Sequence, residues 1–292
     1  MSTDRTNTNT NTKASPAGVA GPVSFLARLA IAVGLLAGGL LLLVATAADG
    51  EPTEVRTLAV RTLGGIALSA AMFALVAILA RRVDRRPLSD LGITGPRDGW
   101  RAFTTGVLAW LLPAAVVLAI LALTGTTLAL RGSPGEVATV IGLTAAAVLF
   151  SEAIPEELVF RGYVTSVLEE RLRGWWIILV QATLFAAFAV VLRGFTGVAD
   201  LSLFVGMGIG LGYLRLVTGS VWTSVGFHAA FQTVSQLLLT HDVVEFGGSP
   251  AMTVLALGIV PFAVGITLVA ALATTRPGLF RRRRASADVS AR

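Results

Sequence analysis

Residues 137–164 read VATVIGLTAAAVLFSEAIPEELVFRGYV. The stretch begins as an apolar block long enough to cross about 30 Å of hydrocarbon, which takes about 20 helical residues. It then meets Pro155, Glu156, Glu157 and Arg161. At 1.5 Å per residue Glu156 lies roughly 28 Å from Val137, near the end of the span. Charges at such depth are costly, so each needs a partner, a water path or a task. One reading starts a new helix at the interface, with Pro155 in its first turn and both carboxylates favoured by the helix dipole. The other lets the helix run on, because residues 158–164 are still mostly apolar. That second reading holds the carboxylates within the inner leaflet. Glu157 and Arg161 are spaced i,i+4, the geometry of a same-face ion pair. Glu156, about 100° further round, is then left to act as a general base toward water.

Working outward, similar apolar blocks occupy residues 24–47, 62–80, 103–123, 137–157, 176–192, 201–218, 221–240 and 253–274. Of the 292 residues 54% are hydrophobic and only 14% charged, too few charges to cover a soluble domain of this size. The expected fold is all-α, a polytopic membrane bundle of about eight transmembrane helices over residues 23–275. Residues 1–22, rich in Asn, Thr and Ser, read as a disordered tail. Residues 276–292 read as a basic one. Arg81, Arg82, Arg85, Arg86, Arg97 and Arg101 lie between the second and third blocks, and Arg171 with Arg173 between the fourth and fifth. The positive-inside rule therefore places both termini in the cytoplasm of a multi-pass cell-membrane protein. The net charge of +6 belongs to these loops, and with no nucleic-acid-binding motif beside it a nucleic-acid partner is excluded. The partner expected from these features is membrane lipid. The arginine-dominated basic set and the Ala, Val and Leu bias suggest a bacterial source. Ala45-Thr46-Ala47 has the small-residue spacing of a signal-peptidase site, but the block before it is longer than a usual signal core. Gly206, Gly208, Gly210 and Gly212 permit close helix packing, inside the bundle or across a dimer.

The chain has no cysteine and two histidines, His228 and His241. Thiolate chemistry and cysteine-ligated metals are excluded. His228 and Gln232 stand i,i+4 in the seventh block, and from a start near Val221 His228 lies about 10 Å in, matching the depth of Glu156. Imidazole and amide donors there suit a developing oxyanion.

Glu156-Glu157-Leu158-Val159-Phe160-Arg161-Gly162 and His228-Ala229-Ala230-Phe231-Gln232 resemble the first and third motifs of the CAAX prenyl protease and bacteriocin-processing intramembrane proteases. The resemblance covers about residues 137–240. It implies a type II CAAX endopeptidase-like hydrolase acting on lipidated or bacteriocin-like peptides at the cytoplasmic leaflet. Glu156 would be the base, Glu157 and Arg161 its ion-pair support, and His228 and Gln232 the donors, Gln standing where the family has Asn. The family's second motif ends in a histidine, where this chain has Ala189. One histidine and two carboxylates make a zinc site with three protein ligands hard to build. The missing histidine also motivates an alternative, an inactive family member that binds peptides or confers immunity. A small ion-coupled transporter is a third reading; neither an internal repeat nor a pair of interrupted helices supports it.

Overall fold

The computed structural model of the chain describes residues 22–47, 50–195, 197–241 and 243–280. The expected tails lie largely outside these residues. Among the described residues eight long helices form an all-α bundle: α1 Pro22–Ala47, α2 Val55–Val83, α3 Pro96–Leu123, α4 Pro134–Leu168, α5 Trp175–Arg193, α6 Val198–Thr218, α7 Val221–Leu239 and α8 Pro250–Thr275. Seven are long and apolar enough to cross a membrane. The helix outside that set is α7, which carries Thr223, Ser224, His228, Gln232, Ser235 and Gln236. Large apolar side chains such as Leu42, Leu63, Leu112 and Val116 stay exposed on the outer helix faces. In water such faces would be a liability; in lipid they are the expected surface. The helices alternate in direction, so one end of the bundle carries the α2–α3, α4–α5 and α6–α7 turns. The other carries the α1–α2, α3–α4, α5–α6 and α7–α8 turns. At this second end a short antiparallel pair, β1 Leu128–Leu130 and β2 Val244–Phe246, joins two loops.

Several helices are longer than the apolar blocks that announced them. The second starts at Val55 and so contains Arg61, the fifth includes Arg193, and the fourth continues to Leu168. Charge density makes these ends look like loops, yet inside the fold Arg61, Arg161 and Arg193 each have a carboxylate partner. The long α4 opens on a capping box: Glu136 N–H donates to Ser133 Oγ, and Ser133 N–H to the Glu136 carboxylate at 2.9 Å. It absorbs Pro155 without breaking. Two wide π-helical segments, Leu149–Ala153 and Leu158–Val164, flank the turn Ile154–Glu157. Such segments free backbone carbonyls and are frequent at functional sites. The Phe150 carbonyl, five residues before the proline that lacks an N–H, accepts instead from Ser69 Oγ of α2 at 2.6 Å. Glu156 therefore sits inside a continuous helix, and the reading of a helix start at Pro155 is overturned.

Backbone contact between α3 and α7 sets where His228 stands. A β-carbon on Gly226 would collide with the Phe103 carbonyl, and one on Gly106 with the Thr223 carbonyl. Only glycine lets these backbones touch, two residues before His228. Gly208 and Gly212 press in the same way on Ala182 and Gln181 of α5, and Gly210 faces Phe262 and Ile266 of α8. Gly208, Gly210 and Gly212 thus serve packing inside the bundle, whereas a β-carbon on Gly206 would meet nothing within 4 Å.

Candidate functional site

A cavity of about 380 Å3 lies among α1, α2, α4, α5, α6 and α7. Glu156, His228, Gln232 and Ala189 all line it. In the α-helical turn Ile154–Glu157 two successive carboxylates, about 100° apart round the helix, point in different directions. Glu157 points into the protein and is fully buried, whereas Glu156 reaches the cavity and is 9% exposed.

Around Glu157 the structure assembles a buried triad of charges and hydrogen bonds. Its Oε1 accepts from Arg161 Nη1 at 2.9 Å, one helical turn on. The same oxygen lies 2.9 Å from His228 Nδ1 of α7. Arg161 also donates through Nη2 to the Met207 carbonyl at 3.4 Å, and its guanidinium stands 4.4 Å from the Phe185 ring centroid. Cation–π contacts of this kind gain strength away from water. Arg161 thus has a carboxylate, a carbonyl and a ring face where a lone guanidinium would be prohibitive. The i,i+4 spacing required only the Glu157–Arg161 contact; tertiary packing brings His228 to the same oxygen. The expected role of His228 as a donor is therefore qualified. Nδ1 is committed to Glu157, and Nε2 is the nitrogen left for the cavity.

Glu156 makes no hydrogen bond or ion pair to another described residue. Ala189 lines the same cavity, together with Phe185 and Phe188. A histidine at position 189 would enter the cavity; alanine leaves that volume to it.

A carboxylate missing from the sequence reading, Glu152, organises the rest of the wall. Its Oε1 accepts from Arg61 Nη2 and from Gln236 Nε2, both at 2.9 Å. Its Oε2 accepts from Gln232 Nε2 at 3.1 Å and lies 3.9 Å from Arg193 Nη2. Gln232 thus spends one amide proton on Glu152 and keeps one. The available signals were Glu152 at i−4 from Glu156 and the arginines Arg61 and Arg193, which the apolar blocks had excluded from their helices.

No group of three or more His, Cys, Asp or Glu residues suited to a metal occurs among the described residues. The geometry argues the same way: Glu152 is engaged by two arginines and two amides, Glu157 has Oε1 committed to Arg161 and His228, and one imidazole nitrogen is already taken. The residues do not fit a zinc ion. His241 lies apart from the cavity lining, buried, with Nδ1 3.2 Å from Thr144 Oγ1. Burial, reinforced by the positive charge of Arg61, lowers its pKa from the usual histidine value.

Residues 138–234 match the family model described as type II CAAX prenyl endopeptidase Rce1-like. The matched segment contains every residue of the two motifs and also Glu152, Ala189 and Arg193. No curated protein and no solved structure matches the chain.

Proposed function

The chain belongs to the CAAX prenyl protease and bacteriocin-processing family, and from that premise we propose that it is an intramembrane endopeptidase whose base is Glu156. One observation carries the proposal: an unpaired carboxylate shares a cavity with an imidazole held in place by Glu157. Two carboxylates and one guanidinium leave one further proton to place for neutrality, on His228 or on Glu156.

In the proposed cycle that proton starts on His228. Ionised Glu156 takes a proton from water as the water oxygen attacks the scissile carbonyl carbon. The carbonyl oxygen becomes an oxyanion and accepts from His228 Nε2–H, with the remaining Gln232 amide proton as a second donor. Collapse of this intermediate breaks the C–N bond, and Glu156 passes its proton to the leaving nitrogen. A carboxyl terminus and an amino terminus result, and no metal enters any step. The substrate is a membrane-associated peptide, lipidated or bacteriocin-like by analogy with the family. Residence in a cell membrane with both termini cytoplasmic belongs to the same proposal and rests on the loop arginines.

The test is peptide cleavage by purified protein against its Glu156→Gln variant. Loss of an acid–base group should lower the rate about 10²–10⁴-fold; equal rates refute the proposal. Ala189 favours a second reading, a peptide-binding relative without catalysis. If cleavage appears in Ala189→His and is absent from the natural chain, that second reading is correct.

A further inference from the structure

We propose that the cavity is entered from the end of the bundle opposite the arginine-rich loops, so that its substrate is a peptide segment presented at the extracytoplasmic leaflet. The inference rests on the proposed protease reading for what happens to the peptide, and on geometry and charge for where the peptide arrives.

The cavity is polarised along the helix axes. Its floor is Glu156 and His228, and its wall continues to Ala47, Gly50, Pro52 and Thr57 at the α1–α2 turn. Arg61 in the second turn of α2 and Arg193 at the last residue of α5 lie on the same side. All of these belong to the end that carries β1 and β2. In the other direction α4 runs twelve residues beyond Glu156, about 18 Å of helix. That length is packed shut. Phe160, Arg161, Tyr163 and Val164 are each 0% exposed, and Val167 and Leu168 are nearly so. Beyond them Arg28 of α1 bonds Asp84 at the end of α2 at 2.5 Å, and clasps Glu170 after α4 through both guanidinium nitrogens at 2.9 and 2.6 Å. Three helix ends are tied together there, and Arg86 stands 3.7 Å from the same Glu170.

The closed end is also the basic one. Arg81, Arg82, Arg85, Arg97, Arg171 and Arg173 cluster in its loops, whereas Arg56 and Arg131 are the loop-proximal arginines at the open end. Retention of arginine on the cytoplasmic side then turns the open end outward. This revises the expected access from the cytoplasmic leaflet: Glu156 and His228 still lie nearer the arginine-rich end, but that end is packed shut. The wall itself names the kind of segment that fits. On α1 it is built from Leu40, Leu41 and Val44, of which Leu41 and Val44 are 48% and 66% exposed on the helix surface as well. Apolar lining that continues onto the lipid-facing surface suits a peptide with an apolar stretch lying in the outer leaflet, its scissile bond reaching down to Glu156.

The chain has no cysteine, so single cysteines report without background. In intact cells a membrane-impermeant maleimide should label Pro52→Cys, and should label Arg82→Cys only after lysis. The reverse pattern overturns the proposal. The occupant is tested in the Glu156→Gln background on right-side-out vesicles, with a palmitoylated Leu/Ala-rich peptide added outside. At about ten times its Kd, labelling of Pro52→Cys should slow roughly tenfold, following the fraction of empty sites. Absence of protection overturns the proposal, and so does equal protection by palmitic acid alone, which would make lipid the occupant. Protection without any cleavage of the same peptide by the natural chain would refute the protease reading and leave the entrance intact.

Discussion

Replacing Arg161 by methionine keeps most of the side-chain volume and removes the charge at the centre of the Glu157 cluster. Glu157 and Arg161 are both 0% exposed, so solvent cannot replace what is lost. The variant forfeits the 2.9 Å bond to Glu157, the bond to the Met207 carbonyl and the contact with the Phe185 ring. It leaves Glu157 with His228 Nδ1 as its remaining polar partner. Removing one member of a buried pair costs about 3–5 kcal/mol, chiefly through the uncompensated charge that stays behind. Against a total stability of about 5–15 kcal/mol, that is a large share. The double variant Glu157→Gln/Arg161→Met removes both charges, and it should recover at least about 1 kcal/mol of what the single change loses, as expected for residues in direct contact. Reversible unfolding in mixed detergent micelles, for the natural chain, both single variants and the double, yields the coupling energy. A loss below about 1 kcal/mol in Arg161→Met, or strictly additive changes, would refute the idea that a buried charge pair holds this site together.

Glu152→Gln should cost about 3 kcal/mol by stranding Arg61 beside Arg193, and a second change, Arg61→Gln, should restore part of it. The same unfolding assay measures both. Gly226→Ala should destabilise by about 1–3 kcal/mol, because the new methyl meets the Phe103 backbone rather than a flexible side chain. Cleavage by that variant should fall as well, since His228 lies two residues on. At the closed end, the hydrogen bonds from Arg28 hold the Glu170 carboxyl below its ordinary pKa against the opposing effect of burial, with Arg86 and Arg171 adding to the lowering. A depressed carboxylate contributes stability that is complete above its unfolded value of about 4.3 and fades as pH falls through the lower folded value. Stability should therefore hold from neutral pH to about 5 and decline below it. Glu170→Gln should lower the plateau and flatten that decline, and an unchanged acid limb would show that other carboxylates carry it.

What could be read from the chain alone followed from local geometry. Apolar length announced the helices, and the 3.6-residue period put Glu157 and Arg161 on one face whatever surrounds them. The same locality explains the misjudged helix ends. A charge such as Arg61 or Arg193 looks like a loop residue until its partner is known. That partner, Glu152, is 91 residues from Arg61. The fourth apolar block likewise stopped at residue 157, because two of the groups that hold Arg161 at depth, the Met207 carbonyl and the Phe185 ring, are remote in sequence.

Composition and spacing thus determined that this is a membrane helix bundle with two carboxylates and an arginine set one turn apart at depth. Only the tertiary structure decided which carboxylate is committed and which is open. His228 lies 71 residues beyond Glu157, and the glycine contact of α3 with α7 delivers it to that oxygen rather than to Glu156. Helix periodicity acts over a few residues and is written into the order of the side chains. The end at which the cavity opens, the pairing of Glu152 and the freedom of Glu156 depend on how far helices approach one another. That distance is set by packing many residues away.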